Sequence, residues 1–154
     1  MTVDGGTYLL PEKLEPDLER VFAYWTGLKR GGNEIPFWDD LMFSMKTRLG
    51  RDVLLMEAFE NPPRYRFDLI GDDITRQFGA AINGKFTDEV ELRPPLDDLT
   101  NQCRSTIERR QPTYFLHGAG PGADDGYSRL MLPLWGNGRI EMLMGAITPH
   151  RSGA

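Results

Sequence analysis

The segment GYSRLMLPLWGNGRIEMLMGAITP, near the end of the chain, sets two apolar runs on either side of Gly136-Asn137-Gly138. Asn and Gly both tolerate positive φ, as a tight hairpin turn requires, so the two runs are predicted to pair as antiparallel strands. A third run, PTYFLHG, precedes them across the divider GAGPGADD. A second hairpin is written earlier. RDVLLMEAFE is a compact apolar run, NPPR a turn, and RYRFDLIG alternates, with Tyr65, Phe67 and Leu69 facing one way and Arg64, Arg66 and Asp68 the other.

Helical spacing appears between and before these strands. Pro16 suits a first helical turn, and Leu18, Val21, Phe22, Trp25 and Leu28 recur at helical intervals until Gly31-Gly32. An irregular lead at 1–15, an amphipathic helix at 16–32, a connector at 33–50 with a short helix near 38–48, and a core at 51–150 are therefore expected. DDITRQFG and AAINGKFTDEVEL, punctuated by Gly71, Gly79 and Gly84, suit single helical turns. Leu96, Leu99, Cys103, Thr106 and Ile107 share one face of a longer helix that runs to Arg110, where Gln111-Pro112 stops it. The predicted order is helix, two strands, short helices, one longer helix, three strands.

At 154 residues the chain is one domain in size, long enough to bury a core without staples. Its 23 acidic and 18 basic side chains give a formal charge of -5, which argues against non-specific attraction to nucleic acid or anionic lipid. The small basic clusters Lys29-Arg30 and Arg109-Arg110 read as solvated helix ends. One cysteine, Cys103, allows no intramolecular disulfide and makes a reducing compartment the default. The first twenty residues lack the apolar stretch of a secretory signal, and no run approaches the roughly 20 apolar residues that cross a bilayer. A soluble, cytoplasmic protein is expected, with no nucleic-acid or membrane partner.

The residues that carry chemistry are sparse. HGAGPGADDG, at 117–126, has glycines at 118, 120 and 122, but not in the spacing of a dinucleotide loop, and Pro121 removes a backbone donor. It reads as a connecting loop. His117 and His150 stand apart, and the adjacent pairs Asp97-Asp98 and Asp124-Asp125 diverge on regular backbone, so no metal site is expected. Ser105 and Ser128 lack a nucleophile-elbow context, and Cys103 falls on an apolar helix face as a small hydrophobe. Met42, Met45, Met56, Met131, Met142 and Met144 suit core filling better than an adaptable interface. Phe22, Trp25 and Leu28 offer a choice between intramolecular packing and a partner; pairing with a second copy through them would give a symmetric homodimer.

The order of elements resembles a PAS domain. YWTGLKRGG, PPRYRFDLIGDDITRQFG with Gly84 in INGKF, and RLMLPLWGNGRIEMLMGAI are similar to the small single-domain PAS proteins common in alphaproteobacteria, over roughly residues 18–147. The resemblance implies an α+β fold with a five-stranded antiparallel sheet in the order 2-1-5-4-3, helices on one face, and an N-terminal amphipathic helix that caps the sheet or pairs with another subunit. It implies a pocket between helices and sheet, with Tyr65, Phe67, Phe78, Leu99, Cys103, Ile107, Phe115 and Met142 as its candidate lining. Residues 36–52 depart from the family by lacking an Asp-Pro stretch. No cofactor is implied: residues 96–110 hold no histidine for haem iron, and Asn101-Gln102-Cys103-Arg104 only echoes the flavin motif.

The expected function is sensory or regulatory and non-catalytic, exercised by binding an unknown small ligand or by contact in trans with a signalling protein. Trans action is expected because the chain ends soon after its last strand. Two alternatives stand beside it. A ligand-free interaction module would be marked by tight filling around Phe67, Phe78, Phe115 and Met142. A small-molecule enzyme or carrier would be marked by a pocket in which polar groups such as Tyr65, Arg66 and His117 converge.

Overall fold

A computed structural model describes residues 8–42, 50–118 and 126–150 of the chain. Five strands, β1 (Val53–Phe59), β2 (Arg64–Ile70), β3 (Thr113–His117), β4 (Tyr127–Gly136) and β5 (Arg139–Pro149), form one antiparallel sheet in the order β2-β1-β5-β4-β3. The helices are α1 (Pro16–Gly27), α2 (Trp38–Met42), α3 (Asp72–Phe78) and α4 (Leu99–Arg109). The architecture is α+β, with the strand order that the resemblance implied.

The β4–β5 turn is a two-residue loop. Asn137 at φ 52° and Gly138 at φ 77° supply the paired left-handed conformations that match the twist of a hairpin. Asn137 Nδ2 also donates to Glu141 Oε2 at 2.8 Å, tying the turn to β5.

Two β-bulges decide which side chains share a face. In β2 the register with β1 slips between Leu69 and Phe67, leaving Asp68 as the extra residue. Strict alternation would put Leu69 with Tyr65 and Phe67; the bulge instead turns it to the opposite face, and Ile70 joins Phe67. In β5 the register with β4 slips between Met142 and Ile140, with Glu141 extra. Ile140 therefore faces one side while Met142, Met144 and Ala146 face the other.

Each face has its own cover. α3 and α4 lie over Leu54, Met56, Phe67, Met131 and Leu143. On the reverse face, Leu18, Val21 and Trp25 of α1 and Leu41 of α2 pack on Val53, Leu55, Leu132 and Met144. Trp25 Nε1 donates to the carbonyl of Pro133 at 2.8 Å, so the ring is locked onto the centre of β4. Helix α1 begins at Pro16 as expected but ends at Gly27 rather than near 32. The connector helix is confirmed over Trp38–Met42 only; the rest of its predicted span, with Met45, lies outside the described residues. Helix α4 begins at Leu99 rather than Leu96, because Asp98 sits at φ 63° and no helix passes through that conformation.

The sheet edges are guarded by short segments. Phe67 N donates to Lys85 O at 2.9 Å along β2, Tyr114 N to Tyr8 O at 2.9 Å along β3, and Trp135 N to Pro36 O at 2.8 Å beyond the end of β3. Among the described residues no helix is long and apolar enough to cross a membrane.

Gly71 joins β2 to α3 with its N–H on Val53 O at 2.8 Å, and a Cβ there would collide with the carbonyl oxygens of Gly50 and Arg51. Gly71→Ala should lower stability by about 1–3 kcal/mol in urea unfolding, since backbone must yield. Gly32→Ala, where nothing lies within 4 Å, should be close to neutral.

Candidate functional site

Seven of the eight residues expected to line a pocket meet on one face of the sheet. Tyr65, Phe67, Phe78, Leu99 and Cys103 are buried in a single cluster, and Ile107 and Phe115 are partly buried against it. Phe67, Leu99 and Cys103 are 0% exposed, as are their neighbours Met56 and Met131, so no water-sized space adjoins them. The interior at these positions is filled. Burial pushes the Cys103 thiol up to about 12, and its Sγ lies 3.8 Å from Met56 Sδ, so it behaves as a small hydrophobe.

Met142 does not belong to this group. Alternation along β5 sets it with Met144 and Ala146 on the other face, where it packs with Leu18, Trp25 and Leu55, and it is Ile140 that the bulge at Glu141 turns to the α4 side. Of the residues proposed for a partner contact, Trp25 is 2% exposed and consumed by the sheet, while Phe22 and Leu28 are partly buried against the same cluster. Phe22 stacks on Trp25 with ring centroids 5.9 Å apart.

A polar hub at the start of α4 was not anticipated. Arg129, on β4, is 0% exposed. Its Nε donates to Gln102 Oε1 at 2.7 Å, Nη1 to Pro95 O at 2.9 Å and Nη2 to Asp97 O at 2.9 Å. Its guanidinium lies 4.7 Å from the centre of the Phe115 ring. Gln102 Nε2 in turn donates to Thr113 Oγ1 at 3.1 Å and Arg129 O at 3.2 Å. Burial lowers the Arg129 guanidinium to about 10, which leaves it charged at neutral pH. The hub therefore clamps the 95–98 segment and α4 onto β4. The sequence does carry a signal for it: an arginine at an inward position of YSRLMLPL must find buried partners.

Asp97 extends the hub outward. Its Oδ1 accepts from the Tyr127 hydroxyl and its Oδ2 lies 2.9 Å from His117 Nδ1, while the His117 and Tyr127 rings stack at 5.0 Å. His117 is thus engaged at the start of α4, whereas Tyr65 lies beside its second half and Arg66 pairs with Glu57 and Asp68. These three polar groups do not converge.

A second cluster brings together Glu15, Tyr114, Ser128 and His150. Tyr114 OH donates to Glu15 Oε2 at 2.9 Å, Ser128 Oγ donates to the same carboxylate, and His150 Nε2 lies 2.7 Å from Ser128 Oγ and 3.1 Å from Glu15 Oε2. The composition is that of a hydrolase triad, but the geometry is not. Serine and carboxylate share one ring nitrogen, so the acid does not orient the base from the far nitrogen, and Ser128 is 0% exposed. The cluster fastens the entry to α1 onto β3 and β4. Burial alone raises the Glu15 carboxyl, but hydrogen bonds from Ser128, its own backbone, Tyr114 and His150 together hold it below the ordinary carboxylate range.

Among the described residues no group of three histidine, cysteine or carboxylate side chains could hold a metal ion. Gly120, Pro121, Gly122, Asp124 and Asp125 of the glycine-rich loop lie outside the described residues, as does the side chain of Met42.

Comparison with protein-family models, with curated proteins and with solved structures found no match.

Arg129→Met strands three acceptors, on Gln102, Pro95 and Asp97, and should cost about 2–4 kcal/mol in urea unfolding, relief of the buried charge offsetting part of the loss. A loss under half a kcal/mol would contradict the clamp. Glu15 supplies stability that is fully present above its unfolded-state pKa and fades as pH falls through its lowered folded value. Glu15→Gln should therefore be less stable than wild type at neutral pH, with the gap closing on acidification; a gap constant with pH would contradict this.

Proposed function

We propose that this chain is a PAS-like regulatory module with a closed interior, which acts without catalysis through contact in trans with a signalling protein. The observation that carries the proposal is the complete burial of Phe67, Leu99 and Cys103 where a ligand would sit. The strand order β2-β1-β5-β4-β3 and the packing of α3 and α4 on one face support the PAS-like part. Filling of the interior favours the ligand-free form over an internal ligand sensor. Failure of Tyr65, Arg66 and His117 to converge, and the burial of Ser128, weigh against an enzyme or carrier. The reverse face is spoken for by α1, so any pairing with a second copy draws on what Phe22 and Leu28 leave exposed.

Native mass spectrometry of freshly purified protein, compared with its denatured spectrum, tests the proposal. The expected result is the bare chain mass in both, and the native spectrum also reads whether the chain pairs with itself. A mass excess that disappears on denaturation, in protein whose buried Cys103 also reacts promptly with a small thiol reagent while folded, would overturn the closed interior.

A further inference from the structure

A groove of about 220 Å³ opens between the β1–β2 turn, the start of β5 and the second half of α4. It lies outside the filled interior. Ala58, Ile107 and Ile140 give it an apolar floor, and Tyr65 forms part of its wall. The volume falls below the range of about 300–1,000 Å³ usual for drug-sized ligands, so an occupant would be smaller.

The polar groups around this floor have a specific character. Tyr65 is 5% exposed, and among the described residues its hydroxyl has no hydrogen-bond partner. Tyr65 lines the groove, and the charged groups that act on its phenol include Arg104 and Glu108 of the same lining. Burial raises the phenol above its ordinary value, so at neutral pH it is a protonated donor in need of an acceptor.

Two cations flank it. Arg104 donates to the amide oxygen of Asn101 at 2.9 Å, and Arg139 to the carbonyls of Ala58 at 2.9 Å and Ile140 at 3.3 Å. Neither is ion-paired among the described residues, although most other arginines around the sheet are: Arg20, Arg30, Arg51, Arg64, Arg66 and Arg76 each hold an aspartate or glutamate. The rim also carries Glu60 and Glu108, both exposed and likewise without an ion pair among the described residues.

We propose that this groove binds a small molecule with an apolar body and a carboxylate head, the body on Ile107 and Ile140 and the head on the Tyr65 hydroxyl and the Arg104 guanidinium. A carboxylate accepts from both donors at once in charge-assisted hydrogen bonds, a strength that a neutral head lacks, and a cationic head is repelled by the guanidinium. Glu60 and Glu108 lie where an ammonium group beside that carboxylate would be received. An apolar α-amino acid uses both the donors and the rim carboxylates; a simple carboxylic acid uses only the donors.

Amide NMR correlation spectra of the full chain, titrated at millimolar concentration with phenylalanine, hydrocinnamate and phenethylamine, test this. The two carboxylates should shift the amides of Tyr65, Ile107 and Ile140, and phenethylamine, which leaves the Tyr65 and Arg104 donors unused, should shift them much less. Tighter binding of phenylalanine than of hydrocinnamate identifies the amino acid as the ligand class; the reverse order identifies a simple acid. Tyr65→Phe removes a hydroxyl that no described residue uses, so the fold is kept while carboxylate affinity should fall about tenfold. Arg104→Gln, at an exposed position, should weaken binding similarly. Absence of shifts with both carboxylates, equal shifts with phenethylamine, or wild-type affinity in both variants would overturn the proposal.

Discussion

Strands β4 and β5 carry apolar side chains on both faces: Leu130, Leu132, Leu134 and Met144 on one, Met131, Leu143 and Ile147 on the other. A sheet with such a centre must be covered twice. Everything else in the molecule answers to that requirement. Helices α3 and α4 take one face, and α1 with α2 takes the second, so the aromatic stripe of α1 is spent inside the chain. Trp25 marks the commitment, being buried against β4 and hydrogen-bonded to Pro133, a residue whose missing N–H suits the stretch of β4 beyond the end of β3.

The same requirement explains why the two polar clusters sit where they do. Arg129 and Ser128 are neighbours on β4, and alternation sends one to each face. Arg129 meets the backbone carbonyls at the entrance to α4, and Ser128 meets Glu15 at the entrance to α1. Each cover is thus pinned at its N-terminal end by a buried polar group of the same strand. Such groups cost more than apolar ones to bury and repay it by fixing how a helix is set on the sheet. Both clusters are therefore understood as fastening, although their histidines and carboxylates would suit chemistry in another geometry.

Much of this was legible in the sequence. The Asn137-Gly138 turn, the alternation of Tyr65 and Phe67, and the spacing of Leu99, Cys103 and Ile107 are local signals, and they indicated the order of elements along the chain and most of one core face, whereas the order of strands in the sheet came only from the resemblance. What escaped was set by single extra residues and by distant partners. Asp68 and Glu141 look like ordinary outward positions, yet as bulges they turn Leu69 away from Phe67 and set Ile140 and Met142 on opposite faces. The start of α4 was misplaced by three residues because a left-handed Asp98 has no sequence mark beyond its being an aspartate. The Arg129 hub joins residues more than thirty positions apart, and only the oddity of a charge in an apolar strand hinted at it.

The central claim is that the space between α4 and the sheet is closed, and Cys103, the chain's one cysteine, lies in it. The rate at which a small thiol reagent labels the folded protein, measured against the same protein in denaturant, tests this directly. Labelling that is negligible in the folded state and prompt on unfolding is the predicted result. Prompt labelling while the circular dichroism remains that of the folded protein would show an interior open to small molecules and would contradict the account.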